Sequence, residues 1–253
     1  MNEKQHHDLF YEIETNFFEG TFIRLFRQRI AKFVFDKCRG KDRSKRVLSI
    51  GLGDGFYEIS LAPFFEHITG LDISSVAVRK SRSKAKEGNL SNITFIQGDI
   101  RSLNLGDKYF DCIWILSTLH HLNKGDMTIL KKKCFEHLTP YGILITIDPS
   151  SKRFVSLFKV FFKKLYSCYH SPDEKELSIS ITRQLLTTAG FKKISLVYVD
   201  FFIAPLAWAF PNIPFLLARS LLFFNSIFIK IPILRSFSSS FALVAQKNAD
   251  IVA

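Results

Sequence analysis

Residues 47–55, V-L-S-I-G-L-G-D-G, constrain this chain more than any other stretch, because they join a buried-strand run to a turn punctuated by Gly51, Gly53 and Gly55. Asp72 closes a second apolar run, H-I-T-G-L-D. A strand, a glycine turn, a helix start and an acid about 20 positions on suit a nucleoside cofactor: the glycines admit close backbone approach and the carboxylate accepts ribose hydroxyls. The third glycine separates the cofactor classes. A dinucleotide site needs glycine at position 56, which is Phe56 here, so the pattern is G-x-G-x-G and lacks a phosphate cradle.

The remaining runs extend the pattern. Residues 93–100, I-T-F-I-Q-G-D-I, predict a third strand ending at Gly98, Asp99 and Ile100. Residues 109–122 predict a fourth strand running into a polar loop with Ser117, His120 and His121; a helix over 126–137 then leads to a fifth strand over 138–148. A helix over 181–189 precedes a sixth strand at 190–199, and residues 240–247 supply a seventh. The expected fold is α/β, a doubly wound, seven-stranded, mostly parallel sheet with ligands at the strand C-termini.

The glycine turn resembles motif I of the class I S-adenosylmethionine-dependent methyltransferases. The order of blocks over residues 45–150 is similar to the group that includes ubiquinone and menaquinone biosynthesis enzymes. The resemblance implies S-adenosyl-L-methionine as cofactor. It places Gly51, Gly53 and Gly55 at the methionine end, Asp72 at the ribose, Asp99 and Ile100 at the adenine, and Ile73 and Ser117 in the same cofactor set. Two positions depart from the family pattern. Ser49 stands where an acid usually precedes the Ile-Gly pair, and Tyr141 replaces the first glycine of the usual Pro-Gly-Gly turn. The first departure implies either weaker cofactor binding or a substitute acid such as Asp54, and it keeps open a non-catalytic protein that retains the fold.

Methyl transfer is an in-line displacement at a sulfonium carbon, so it demands alignment, exclusion of water and, for a hydroxyl acceptor, a base. His120 and His121 follow the fourth strand at the end that faces the cofactor in this fold. Adjacent histidines cannot both face one pocket, and the resemblance favours His120. Tyr11 and Phe10 are lesser candidates, in an N-terminal segment that folds over the cofactor in similar proteins. His6 and His7 show no ligand-spaced partners, so no metal is expected.

Composition bounds the rest. The chain has 253 residues, 47% of them hydrophobic, enough for one well-cored α/β unit. Its four cysteines, Cys38, Cys112, Cys134 and Cys168, lack C-x-x-C spacing and read as reduced structural thiols of a cytoplasmic protein. The first residues carry no signal-peptide apolar region. The net charge is +12, and between Arg24 and Arg46 the only acids are Asp36 and Asp42, a balance that attracts polyanions. Nucleic acid is nonetheless disfavoured. Leu116, Ser117 and Thr118 stand where a base-gripping Asn/Asp-Pro-Pro-aromatic loop is expected, and no Pro-Cys nucleophile is present, Cys134 following Lys133. RNA methylation survives as an alternative on charge alone.

Residues 201–234 hold only Arg219 and Lys230 as charges, with Trp208, many phenylalanines and prolines at 205, 211, 214 and 232. The prolines leave pieces too short to span a bilayer, so this insertion between the last two strands reads as interfacial, as an apolar cap or dimer interface, or as a substrate lid. Residues 152–169 alternate lysine with phenylalanine, the pattern of an amphipathic helix that suits lipid headgroups, an acceptor with an apolar tail or an ordinary half-buried packing, and the resemblance places an acceptor-binding cover here. The expected organisation is an N-terminal helical cap (1–45), a cofactor-binding core (46–150), an acceptor-side cover with the sixth strand (151–200), the apolar insertion (201–239), and the last strand and tail (240–253). The expected activity is methyl transfer to a small or lipid-linked acceptor, at oxygen, by a cytoplasmic protein on an anionic membrane surface, with a homodimer as a further partner class.

Overall fold

The structure, a computed structural model, describes residues 3–13, 17–38, 45–102, 104–154 and 175–248. Most of the expected amphipathic cover at 152–169 lies outside the described residues, as does Cys168. Seven strands form one sheet: β1 (Arg46–Ile50), β2 (His67–Asp72), β3 (Ile93–Gln97), β4 (Phe110–Leu116), β5 (Leu138–Pro149), β6 (Lys193–Asp200) and β7 (Ser240–Gln246). Their spatial order is β3-β2-β1-β4-β5-β7-β6, with β7 antiparallel to both neighbours and the other pairs parallel. The order reverses between β1 and β4, and in an open α/β sheet ligands enter at that crevice, beyond the strand C-termini.

Period-2 alternation explains why the sheet is covered on both faces. On β4, Ile113 and Ile115 join one core cluster, with Met127 and Leu130 of α5 (Lys124–His137) and Leu185 and Leu186 of α6 (Ile179–Thr188). Cys112 and Trp114 point the other way, into a cluster with Ile30 and Val34 of α2 (Thr21–Cys38) and Leu61 of α3 (Phe56–Leu61). α4 (Ser75–Glu87) starts on a Ser74 cap whose side chain accepts from the Ala77 amide.

The N-terminal helix α1 (Glu3–Ile13) is bound to α4 through Asp8, which accepts from Ser74 Oγ at 2.6 Å and from the Val76 amide at 3.3 Å. It therefore lies over the β1 and β2 ends rather than trailing into solvent.

The apolar insertion is three helices, α7 (Ile203–Ala209), α8 (Phe215–Phe228) and α9 (Pro232–Arg235), broken at the prolines. Buried Asp200 accepts from the Ile203 and Ala204 amides and starts α7. Pro211 then offers its carbonyl to the Phe22 and Ile23 amides at the start of α2, at 2.9 and 3.2 Å. A side chain at Gly20 would place its Cβ 2.4 Å from that carbonyl oxygen, so the junction requires glycine. Phe22, Ile23, Ile203, Ala207 and Ala218 form the shared core.

One cysteine expectation is corrected. Cys38, at the end of α2, and Cys112, on β4, are joined as a disulfide although 74 residues separate them in sequence. Local spacing carries no information about a helix end packing on a strand. Cys134 is a buried free thiol, pushed up to about 12 by desolvation.

Candidate active site

A cavity of about 360 Å³ opens over the C-terminal ends of β1, β2, β3 and β4. Gly51, Gly53, Asp72, Ile73, Asp99, Ile100, Ser117, His120 and His121 all line it. Gly55 does not; it starts α3 at φ 77°, where a Cβ would meet Ser81 Oγ at 2.5 Å. It supplies the turn and the close seating of α3 on α4. Gly51, also at φ 77°, sits against Thr118, whose Oγ1 would lie 1.9 Å from an added Cβ. The β1 and β4 ends can meet only because that position has no side chain.

Asp72 is the acid of the site. Its carboxylate accepts from the Gly53 amide at 3.0 Å and from the Ser74 amide at 2.8 Å, which fixes its orientation at the β2 end. Burial raises its pKa while those two amides pull it back down. Tyr11 of α1 closes the space above; its hydroxyl would lie 2.9 Å from a Cβ placed on Gly53. Desolvation, with Asp72 nearby, keeps that phenol protonated. Asp99 is gripped by Arg101, whose Nε lies 2.9 and 2.8 Å from its two oxygens, and Arg101 also reaches Asp126 at 2.7 Å.

Two features answer the missing acid at position 49. Ser49 Oγ donates to Glu58 Oε1, so a carboxylate occupies the layer beneath β1 after all, supplied by α3. Burial pushes Glu58 up to about 7, against hydrogen bonds from Ser49 and Trp114. Glu58 does not line the cavity; Asp54 does, paired with Arg27 and, at 3.3 Å, with Lys84. The Arg27 guanidinium stacks 4.1 Å from the Phe56 ring centroid and 4.6 Å from that of Phe18. Arg27 and Asp54 thus present both signs of charge to one end of the cavity.

At the opposite side, His120 is 5% exposed, and its Nδ1 lies 3.0 Å from Oδ1 of Asp148 on β5, itself 1% exposed. Nδ1 carrying the proton toward a carboxylate makes Nε2 the nitrogen for proton transfer and stabilises an imidazolium once formed. Buried Lys131, lowered to about 8 by desolvation against the pull of Asp148, supplies positive potential behind the pair. His121 turns to α1 instead, its Nδ1 2.7 Å from Glu3 Oε1, the oxygen that also lies 3.0 Å from His7 Nε2. This corrects the expectation that His7 has no ligand-spaced partner: Glu3, His7 and His121 converge. Glu3 and His7 are four residues apart on one helix face, a signal present in the sequence, but their meeting with His121 is tertiary.

The insertion also reaches the site. Ala204, Pro205 and Trp208 of α7 form its apolar wall with Phe10 and Phe18.

Comparison with known proteins agrees with this architecture. Residues 47–142 match the methyltransferase domain family. Over these residues the chain is similar to the core of the class I S-adenosylmethionine-dependent methyltransferases. The ubiquinone/menaquinone biosynthesis C-methyltransferase UbiE of Yersinia enterocolitica is 28% identical over 154 residues, covering 58% of this chain and 58% of that protein. The match thus spans less than two thirds of that relative's length. Haemonchus contortus phosphoethanolamine N-methyltransferase 2, solved with S-adenosyl-L-methionine, superposes with a TM-score of 0.69 at 13% identity, over 98% of this chain and 60% of that one. A SAM-dependent methyltransferase from Archaeoglobus fulgidus gives 0.63 at 17% identity, over 94% and 100% of the chains. The S-adenosylmethionine of this fold fits the cavity: glycine backbone lies where the ligand must approach, Asp72 is pre-oriented by two amides, and charges of both signs stand at one end.

Proposed function

We propose that this protein transfers a methyl group from S-adenosylmethionine to a small acceptor bearing an ionisable hydroxyl and an apolar body, with His120 as general base. The cofactor supplies an electrophilic methyl on a sulfonium. Asp72 would accept from the ribose hydroxyls, while Arg27 and Asp54 would take the carboxylate and ammonium of the amino-acid end. Ile73, Ile100 and Ser117 enclose the purine side, with Asp99 held by Arg101. His120 Nε2 removes the acceptor's hydroxyl proton as the new bond forms, and Asp148 holds the imidazolium in place. Tyr11 and α1 exclude water from above. The observation that carries this reading is the buried His120–Asp148 pair at the wall of the cofactor cavity.

Methylation at oxygen is the direct outcome of such a base. A second reading, methylation at carbon, draws on the similarity to UbiE. A phenolate or enolate made by the same base is also nucleophilic at its adjacent carbon.

The acceptor and its setting follow from the insertion. Its α7 lines the cavity, while α8 and α9 expose Phe215, Leu216, Phe223, Phe224 and Ile233, with Leu216 77% and Ile233 76% exposed. Among the described residues no helix is long and apolar enough to cross a membrane. We infer a peripheral seat on an anionic bilayer, with Arg219, Lys230 and Arg235 among the exposed phenylalanines, and an acceptor drawn from lipid. Incubating the protein with labelled cofactor and a lipid extract tests the proposal. Label in a phenolic or enolic lipid product supports it, and label in RNA alone contradicts it.

A further inference from the structure

The convergence of Glu3, His7 and His121 is not used by the proton chemistry above. Glu3 and His7 sit one turn apart on α1, and His121 belongs to the 3-10 turn Leu119–His121 after β4. Their ligand atoms, one carboxylate oxygen and two imidazole nitrogens, all lie within 4.8 Å of one another. Neighbouring donors on a tetrahedral zinc ion are about 3.3 Å apart, given bonds of about 2.0–2.2 Å. Glu3 Oε1 lies 3.0 Å from His7 Nε2 and 2.7 Å from His121 Nδ1, direct polar contacts that need to open by only about 0.3–0.6 Å to reach that spacing around an ion. Two imidazoles and one carboxylate form a donor set suited to borderline divalent transition metals, and three protein ligands leave a coordination position open. The supporting layer is in place. The His121 ring lies 4.1 Å from that of His120, and the His7 ring stacks on Tyr11 at 6.2 Å. All three residues line the cavity.

We propose that Glu3, His7 and His121 bind a zinc-class divalent ion that fastens the α1 cap to the loop carrying His120. Such an ion joins the lid to the catalytic turn and presents its open position to the cavity, where an acceptor oxygen can coordinate. The site stands on its three side chains and does not depend on the identity of the acceptor.

Calorimetric titration of the full, chelator-stripped chain with Zn²⁺ alone is the test. Its expected result is one equivalent bound, at least tenfold more weakly after His7→Ala, His121→Ala or Glu3→Gln, and unchanged after His6→Ala, which alters a histidine outside the cluster. Cobalt(II) offers a second reading on the unaltered protein, independent of whether the variants fold: tetrahedral binding gives intense visible d–d absorption, bleached by added Zn²⁺. Absence of stoichiometric Zn²⁺ uptake overturns the proposal, as does uptake that the three cluster variants leave unchanged. A featureless cobalt spectrum does so too, leaving the cluster as a hydrogen-bonded clamp only.

Discussion

His120 Nδ1 and Asp148 Oδ1 lie 3.0 Å apart, bridging the turn after β4 to the end of β5. The backbone amide of His120 points at the same oxygen, at 3.3 Å, so the carboxylate fixes both the main chain and the ring. An imidazole held this way favours the tautomer with its proton on Nδ1. His120→Ala is expected to lower turnover about 100-fold or more with cofactor affinity nearly intact. Asp148→Asn should lower kcat while leaving cofactor binding unchanged, since it reverses the hydrogen-bond preference at Nδ1. Single-turnover assays with labelled cofactor measure both. Full activity in His120→Ala points to His121 or to catalysis by alignment alone.

Glu58 yields a stability prediction with a definite sign. Its folded carboxyl is raised to about 7, while an unfolded glutamate titrates near about 4.3. Below the lower value both states hold the proton. Between the two values the unfolded chain releases it and the folded chain keeps it, so stability falls as pH rises and levels off above about 7. Asp200, raised by burial to about 6, slopes the same way. Glu58→Gln should flatten the curve and gain about 3–4 kcal/mol at pH 8 but nothing at pH 4. Denaturant melts across that range decide it; equal slopes in the two proteins contradict the buried-acid account.

The sheet was legible because its evidence is local. Apolar runs mark β1 to β7, most of them ended by a glycine or an acid, β4 and β7 being the exceptions, and the expected strand centres agree with those observed. Asp72 and His120 were legible for the same reason, standing at strand ends. What stayed hidden are pairings between distant segments: Cys38 with Cys112, Glu58 under Ser49, Arg27 with Asp54, and His7 with His121. No periodicity encodes these, because each depends on how one helix docks on the sheet. Tyr141 illustrates a different limit. It adopts φ 63° where the family turn favours glycine, so the turn forms despite its residue.

The exposed face of α8 gives a prediction for the membrane reading. Because α7 walls the cavity and packs on α2, deleting the whole insertion would damage the site, so point substitutions are the sharper tool. Leu216→Glu with Phe223→Glu should cut sedimentation with anionic liposomes at least tenfold while leaving cofactor affinity intact. Each nearby basic residue contributes on the order of 1 kcal/mol, so part of wild-type binding should fade with salt while the apolar part persists. A protein that ignores liposomes and runs as a dimer split by the double substitution makes this face an oligomer interface instead.

Gly20 tests the junction between the insertion and the core. An alanine there would press its Cβ onto the Pro211 carbonyl, with 2.4 Å between them before relaxation. Gly20→Ala should therefore destabilise the fold by roughly 1–3 kcal/mol, as overpacked sites do. A thermal melt indistinguishable from wild type would show that the α2 start does not depend on this contact.

Titration calorimetry with S-adenosylhomocysteine reads the cofactor site itself, since the roles of Asp72, His120 and α7 all depend on a nucleoside seated between the glycine turn and Asp72. The account predicts one site at micromolar levels in the wild type. Asp72→Ala should weaken it by roughly 1.5–3 kcal/mol through loss of charge-assisted hydrogen bonds. No binding by the wild type, or an affinity that Asp72→Ala leaves unchanged, contradicts the cofactor site and with it the methyltransferase reading.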